Sequence, residues 1–262
     1  MNAALRIFFI GGLTSYRALF NWITPWVLIP TFIVAPLMEL LFFAFVGKDA
    51  GVGDSTFFLL GSSVLAAAIP ALFAMGNTIA DERRTQTLGL LLVSPARRLP
   101  LFLGRALPVI LNGFLVSLVS LVLGSLVLRV ALLPSTWLPL LVVLAITSFS
   151  CTGLGLTGAA IGLRVRETAT LSNVILGLLI VFGGAYAAVS ELPAWMQQVS
   201  HVLPLSHGIE AGRAIASGTP FTDVLPLLRD EVAIGLVYSM IGMGLLFFFE
   251  HQSRRHATLE LA

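Results

Sequence analysis

The sequence predicts an all-α integral membrane protein. It reads as six transmembrane helices, with an amphipathic interfacial helix before them, a cytoplasmic coupling helix after the second and an external re-entrant hairpin between the fifth and sixth. Three observations predict this. The 262 residues are 57% hydrophobic and 11% charged, with a mean hydropathy of +0.97, where soluble domains average about 45–50% apolar and about 25% charged. Six apolar runs reach the ~20 residues that a helix needs to cross ~30 Å of hydrocarbon. Lysine and arginine crowd alternate connections and nearly avoid the others. The length suits one membrane domain over residues 1–262, with little left for a soluble one.

Residues 3–22, AALRIFFIGGLTSYRALFNW, are amphipathic. Arg6, Thr14 and Arg17 interrupt a face of Leu5, Phe8, Phe9, Leu13, Tyr16 and Phe20. A helix of this pattern lies in the membrane interface; the alternative is an extended start to the first span. Thr14, Ser15 and Arg17 break the early apolar stretch and no small-residue cleavage site follows one, which does not describe a cleaved signal peptide.

The spans are read at about 26–46, 57–79, 101–128, 137–163, 168–189 and 232–249. Pro30, Pro36, Pro70 and Pro108 fall inside them, where membrane helices tolerate proline if neighbours satisfy the freed carbonyls. The small-residue run at 153–162, GLGLTGAAIG, allows close helix approach and is only weakly a dimer face. Six spans put both ends of the chain on one side. That side carries Arg6, Arg17, Arg83, Arg84, Arg97, Arg98, Arg105, Arg164, Arg166, Arg254 and Arg255; the other carries Lys48, Arg129, Arg213 and Arg229. The excess of arginine makes the first side cytoplasmic.

Two connections are more than loops. Residues 80–98 hold Asp81, Glu82, Arg83 and Arg84 in their first turns, then Thr87, Leu88, Leu91 and Leu92 on one helical side, until Ser94-Pro95 ends the pattern. This short helix, tethered at both ends, is either a topogenic loop or a docking element for a cytoplasmic partner. Residues 190–230 are too polar to span. Pro193 and Pro204 divide them into short helical pieces, and Glu210 and Arg213, three apart, can pair on one helical face.

Several chemistries lack their residues. The single lysine, Lys48, stands in VGKDAG with no Ser or Thr after it, so no Walker A motif is present. His201, His207, His251 and His256 lack H-E-x-x-H spacing, and Cys151 has no cysteine partner for a metal or a disulfide. No G-x-S-x-G elbow occurs. Glu39, in PLMELLFF, is an acid inside the first span. Intramembrane acids are costly and mark candidate pathways; the alternative is a structural pairing with Lys48 or a neighbouring span.

The pattern E-R-x-x-x-T-L-x-L-L-x-x-S-P-x-x-R, from Glu82 to Arg98, resembles the loop after the second span in ABC-2 type permeases, the membrane subunits of ABC exporters of the daunorubicin-resistance type. Gln86 stands where that family usually has glycine. A second stretch, LPAWMQQVSHVLPLSHGIEAGRAIASG, resembles the family's segment between spans five and six, with Pro204, Glu210, Ala211, Arg213 and Gly218 in matching places. The resemblance covers essentially the whole chain.

The resemblance implies that residues 80–98 are a coupling helix seated in an ATPase subunit through Glu82, Arg83, Thr87, Leu88 and Leu91, with the interfacial helix packed on the same subunit. It implies an ATP-driven exporter of an amphipathic drug, a lipid or a lipid-linked glycan. Two ATPase chains would bind ATP and Mg, two permease copies, identical or different, would form the path in a bacterial inner or plasma membrane, and this chain would carry no cofactor, catalytic residue or nucleic-acid site. The competing readings are a membrane scaffold subunit that moves nothing, and a secondary transporter, for which buried charges are few.

Overall fold

The computed structural model describes residues 26, 29–84, 98–162 and 168–256. Among them every regular element is helical. A π-turn at Pro30–Val34 leads into α1 (Ala35–Asp49). Pro36 lacks the N–H that would meet the carbonyl of Phe32, and the helix widens there so that the Ala35 N–H bonds to the Pro30 carbonyl instead. Next come α2 (Ser55–Leu65), whose first turn is capped by Asp54 accepting from the Phe57 N–H at 2.8 Å, and α3 (Ala68–Arg84). The turn at Ala66–Ala67 separates them because Pro70 cannot donate to the Ala66 carbonyl. Then follow α4 (Arg98–Val127), α5 (Pro134–Gly162), α6 (Thr168–Phe182), the short α7 (Ala194–Val202) and α8 (Ser206–Ala216), and α9 (Phe221–His256).

Five helical stretches among the described residues are long and apolar enough to cross a membrane: Pro30–Asp49, Ser55–Gly76, Ala106–Val127, Pro134–Gly162 and Phe221–Phe249. They carry the predicted spans one to four and six. The predicted fifth, 168–189, is shorter: α6 has 15 residues, about 22 Å at ~1.5 Å per residue, and ends at Phe182. The predicted hairpin is also shorter. Residues 221–230 belong to α9, which begins directly after Pro220 with Asp223 in its first turn. The coupling segment does not start as a separate helix either, since α3 runs on through residue 84. Residues 3–22 and the remainder of that connection, 85–97, lie outside the described residues.

The axis of the fold is α5, which packs against α9, α3, α4 and α8. Small residues let it be surrounded. Gly153 faces the Gly235 carbonyl, Gly155 faces the Ala71 carbonyl, and Gly242 faces the Thr157 amide; a Cβ at any of these would strike backbone. The Thr157 hydroxyl donates to the Tyr238 carbonyl at 2.7 Å across the α5–α9 seam. The 153–160 run is thus consumed inside the chain, every residue of it buried. Outward-facing positions are apolar: Met38, Phe42 and Phe45 on α1, and Leu236, Met240 and Phe248 on α9. That is the surface expected where lipid is the solvent.

Candidate functional site

The hairpin begins where α6 stops. Gly183 and Gly184 open a bend, with Gly184 at φ +80°, a backbone region that side chains other than glycine's rarely enter. A 3-10 turn at Val189–Glu191 and Pro193 lead into α7, and Gln197 ties α7 back by donating to the Leu192 carbonyl at 2.8 Å. Leu203-Pro204 ends α7. Leu205, at φ +85° and ψ −39°, then reverses the chain into α8. This helix lies against α2, α5 and α9, with Ile209, Ala211, Gly212 and Ile215 buried. Gly208 passes so close to Thr147 that a Cβ there would overlap its methyl group.

Arg213 fastens this hairpin to the bundle. One guanidinium nitrogen donates to the Gly184 carbonyl at 2.8 Å, the other to the Ala185 carbonyl at 2.9 Å and the Phe57 carbonyl at 3.3 Å. The guanidinium carbon lies 3.4 Å from the centroid of the Phe57 ring, within cation–π range. Burial lowers the Arg213 pKa to about 10, against the opposing pull of Asp54 and Glu210, so the group stays charged at neutral pH. The bend could not sit there without Gly61, whose missing side chain makes room for the Ala185 carbonyl. One side chain thus joins α2, the end of α6 and α8. Above it lies a cleft of about 330 Å³ rimmed by Gln197, His201 and Glu210.

Glu231, from α9, fastens the other end of α8. It is fully buried. Its Oε1 accepts from the Leu205 N–H at 2.9 Å and its Oε2 from the Gly208 N–H at 3.3 Å. The first amides of a helix have no partner within it, and a carboxylate there also meets the positive end of the helix dipole. Glu231 therefore caps α8 from a different helix and stabilises the unfavourable φ of Leu205. His207 follows directly, with its ring centroid 5.7 Å from that of His201. Burial lowers its pKa, and the neighbouring His201 lowers it further.

At the first span, Glu39 accepts a hydrogen bond from the Tyr186 hydroxyl at 2.8 Å, and the Tyr186 ring stacks on Phe43 with centroids 3.7 Å apart. Of the two structural pairings open to Glu39, the one with Lys48 does not form, since Lys48 is exposed in the last turn of α1, roughly 13 Å further along the axis at ~1.5 Å per residue; the partner is Tyr186, from the stretch read as the fifth span.

The structure therefore brings Arg213 and Glu39 into contact with the same bend, 183–187. It does not pair Glu210 with Arg213. Glu210 is exposed, no ion pair joins the two among the described residues, and the guanidinium is occupied by carbonyls. Glu82 and Arg83 fall in the last turn of α3; Thr87, Leu88 and Leu91 lie outside the described residues. Sequence reasoning missed Glu231 and Tyr186. Glu231 had a usable signal: Val224, Leu228, Glu231 and Gly235 recur at spacings of one helical face and are all buried. Among the described residues no group of three or more His, Cys, Asp or Glu is arranged to hold a metal ion.

Residues 12–216 match the family model described as ABC-2 type transporter. The matched region takes in α1 through α8 and stops at Ala216, the last residue of α8. No curated protein matches the chain.

Proposed function

Because the chain belongs to the ABC-2 type transporter family, we propose that it is the permease subunit of an ATP-driven exporter, with hydrolysis carried out by separate ATPase chains. Family membership and the apolar helices make this chain a permease component of an ABC transporter and a multi-pass membrane protein. The observation that supports the exporter reading is the match over residues 12–216, which includes the 80–98 connection and the hairpin as far as the end of α8. The proposed working unit is two permeases and two ATPase chains, the latter binding ATP and Mg. The path runs between the permeases along α1, α2 and α6, and the cargo is an amphipathic drug, lipid or lipid-linked glycan. In this proposal α6 and the hairpin together make the fifth of six crossings, with both ends of the chain cytoplasmic, on the side of the arginine excess.

Coupling is assigned to residues 80–98. A segment continuous with α3 at one end and α4 at the other transmits a push on its middle to both spans. Glu82 and Arg83 supply charge complementarity to the ATPase, and Leu88 and Leu91 supply buried apolar contact of roughly 1.5–3 kcal/mol per side chain. The test is co-purification of the ATPase subunit with membrane-inserted permease, followed by ATP-dependent efflux from proteoliposomes. Glu82→Arg and Leu88→Ala should each lower ATPase recovery at least about tenfold, since about 1.4 kcal/mol is one decade. Wild-type recovery for both variants would reduce the connection to a topological signal.

A further inference from the structure

Glu39 occupies the middle of the Pro30–Asp49 span and is half-buried there. It borders a largely enclosed cavity of about 50 Å³ between α1, α2 and α6, whose other polar groups are the Tyr186 hydroxyl and the hydroxyl of Ser62. The remaining wall is apolar, including Pro36 and Ile180.

The polar groups there leave part of the Glu39 carboxylate unused. A carboxylate offers about four lone-pair positions, and among the described residues Glu39 receives one hydrogen bond, from Tyr186 to Oε1. The Ser62 oxygen is buried and makes no hydrogen bond of full geometry, though it lies close enough to the Tyr186 hydroxyl to interact with it. No Lys or Arg among the described residues pairs with Glu39. The aromatic pair Phe43–Tyr186, stacked at 3.7 Å with an 18° angle between planes, stands beside the carboxylate. An acid with free acceptor capacity, a hydroxyl and an aromatic ring, gathered between helices of the bundle, form the surroundings in which a cationic head group is held by charge, hydrogen bonds and cation–π attraction together.

We propose that Glu39, Ser62 and Tyr186 form a recognition site for the ammonium group of an amphipathic amine, and that the exporter favours cationic amphiphiles over uncharged ones of the same length. This rests on the reading that the path runs along α1 and α6, and it narrows the cargo class of that path. The cavity admits a primary ammonium, since a water-sized group needs only about 10–15 Å³ of such space. The alkyl tail lies along the apolar surface between the two helices. Tyr186 holds Oε1 when no amine is present and shares the carboxylate when one arrives. Because Tyr186 belongs to the bend that Arg213 grips, occupancy of this site is felt by the hairpin.

The probe is tritiated dodecylamine, bound to the full-length permease in nanodiscs and read by scintillation proximity, with unlabelled dodecylamine and dodecanol as competitors. Wild type should be displaced by dodecylamine on the order of tenfold more effectively than by dodecanol. Glu39→Gln should abolish that preference while leaving dodecanol competition unchanged. Tyr186→Phe keeps the ring and frees Oε1, so it should retain or strengthen the preference. Equal competition by amine and alcohol in wild type overturns the site without any variant being needed, and so does a preference that survives in folded Glu39→Gln. Efflux measured with the ATPase subunit separates this inference from the function it rests on. An amine preference that depends on Glu39, without ATP-driven movement, keeps the site and removes the exporter. ATP-driven amine efflux indifferent to Glu39 keeps the exporter and removes the site.

Discussion

Along the seam between α5 and α9 two helices meet backbone to backbone, whereas the hairpin, beyond its buried apolar residues, is tied to the same bundle by two polar side chains. The seam is made of Gly153, Gly235 and Gly242 set against facing carbonyls and amides, with Thr157 donating across it. Lipid tails are as apolar as leucine, so two spans gain little by hiding apolar surface from them. Close packing of small residues is what remains to hold them together. Such a contact is broad and shallow in energy, and any relative motion spoils much of it at once. The hairpin is different. Arg213 and Glu231 make a few directional bonds to carbonyls and amides. Hydrogen bonds to a charged group contribute roughly 1.5–3 kcal/mol each, and a shift of an ångström or two breaks them as a set. The difference teaches that the seam is built to stay and the hairpin is built with discrete attachment points.

The largest expected effect is at the seam. Gly235→Leu drives a side chain into the Ser150 backbone and the Phe149 ring. Overpacking of a filled core costs about 1–3 kcal/mol and more where backbone must move, so folded permease should be lost from size-exclusion profiles. Gly177→Leu, on an open part of α6 with nothing within 4 Å, should fold normally. If Gly235→Leu is as well behaved, the seam is not the rigid partner in the comparison.

Next comes the cap. Glu231→Ala strands the Leu205 and Gly208 amides, each a buried donor worth about 1–3 kcal/mol when unpaired. Thermal stability should fall, and amide exchange should quicken in α8 before it does in α5. Glu231→Gln keeps the shape and one acceptor oxygen and should lose roughly half as much. Equal exchange in α5 and α8 would mean that the cap holds the whole bundle rather than the hairpin alone.

Arg213→Ala comes third in overall stability because the spans do not depend on it. Efflux should fall about tenfold, while ATPase recovery stays within about twofold of wild type. Lysine cannot reach three carbonyls as a planar fork does, so Arg213→Lys should resemble alanine. Loss of ATPase recovery ahead of efflux would make the hairpin a folding element.

The smallest effect is a pH dependence. The pKa of His207 is lowered by burial and by His201. The unfolded hairpin therefore binds more protons than the folded one in the range just below the ordinary histidine value of about 6.5. Stability rises with pH wherever the unfolded state holds the extra protons. Lowering pH through that range should loosen α8 modestly, seen as faster exchange at pH 5.5 than at pH 7.5 after correction for intrinsic rates, and His207→Gln should remove the difference.

How much of this was legible in the sequence divides along the same line. Hydropathy and length place the first four spans within a few residues because burying or lipid-exposing an apolar run is a bulk property. The same signal overran the end of α6, since FGGAYAAV is as apolar as a helix and hydropathy does not register the positive φ of Gly184. Arg213 stood out as a charge in the hairpin, but its partners are carbonyls, which every residue has and no residue advertises. That is why the sequence suggested Glu210 as the partner instead. Glu231 was hidden by a boundary: with the hairpin drawn to residue 230 and the last span begun at 232, it fell between the two, and only the longer α9 puts it on the buried face with Val224 and Leu228.

The most direct test of the contrast is hydrogen–deuterium exchange on the permease–ATPase complex, with and without ATP under conditions that block hydrolysis. The account predicts that ATP changes protection in residues 183–192 and 206–216, where Arg213 and Glu231 hold the hairpin, and leaves residues 147–160 and 232–246 of the seam unchanged. A change in the seam equal to that in the hairpin, or a hairpin indifferent to ATP while efflux proceeds, would contradict it.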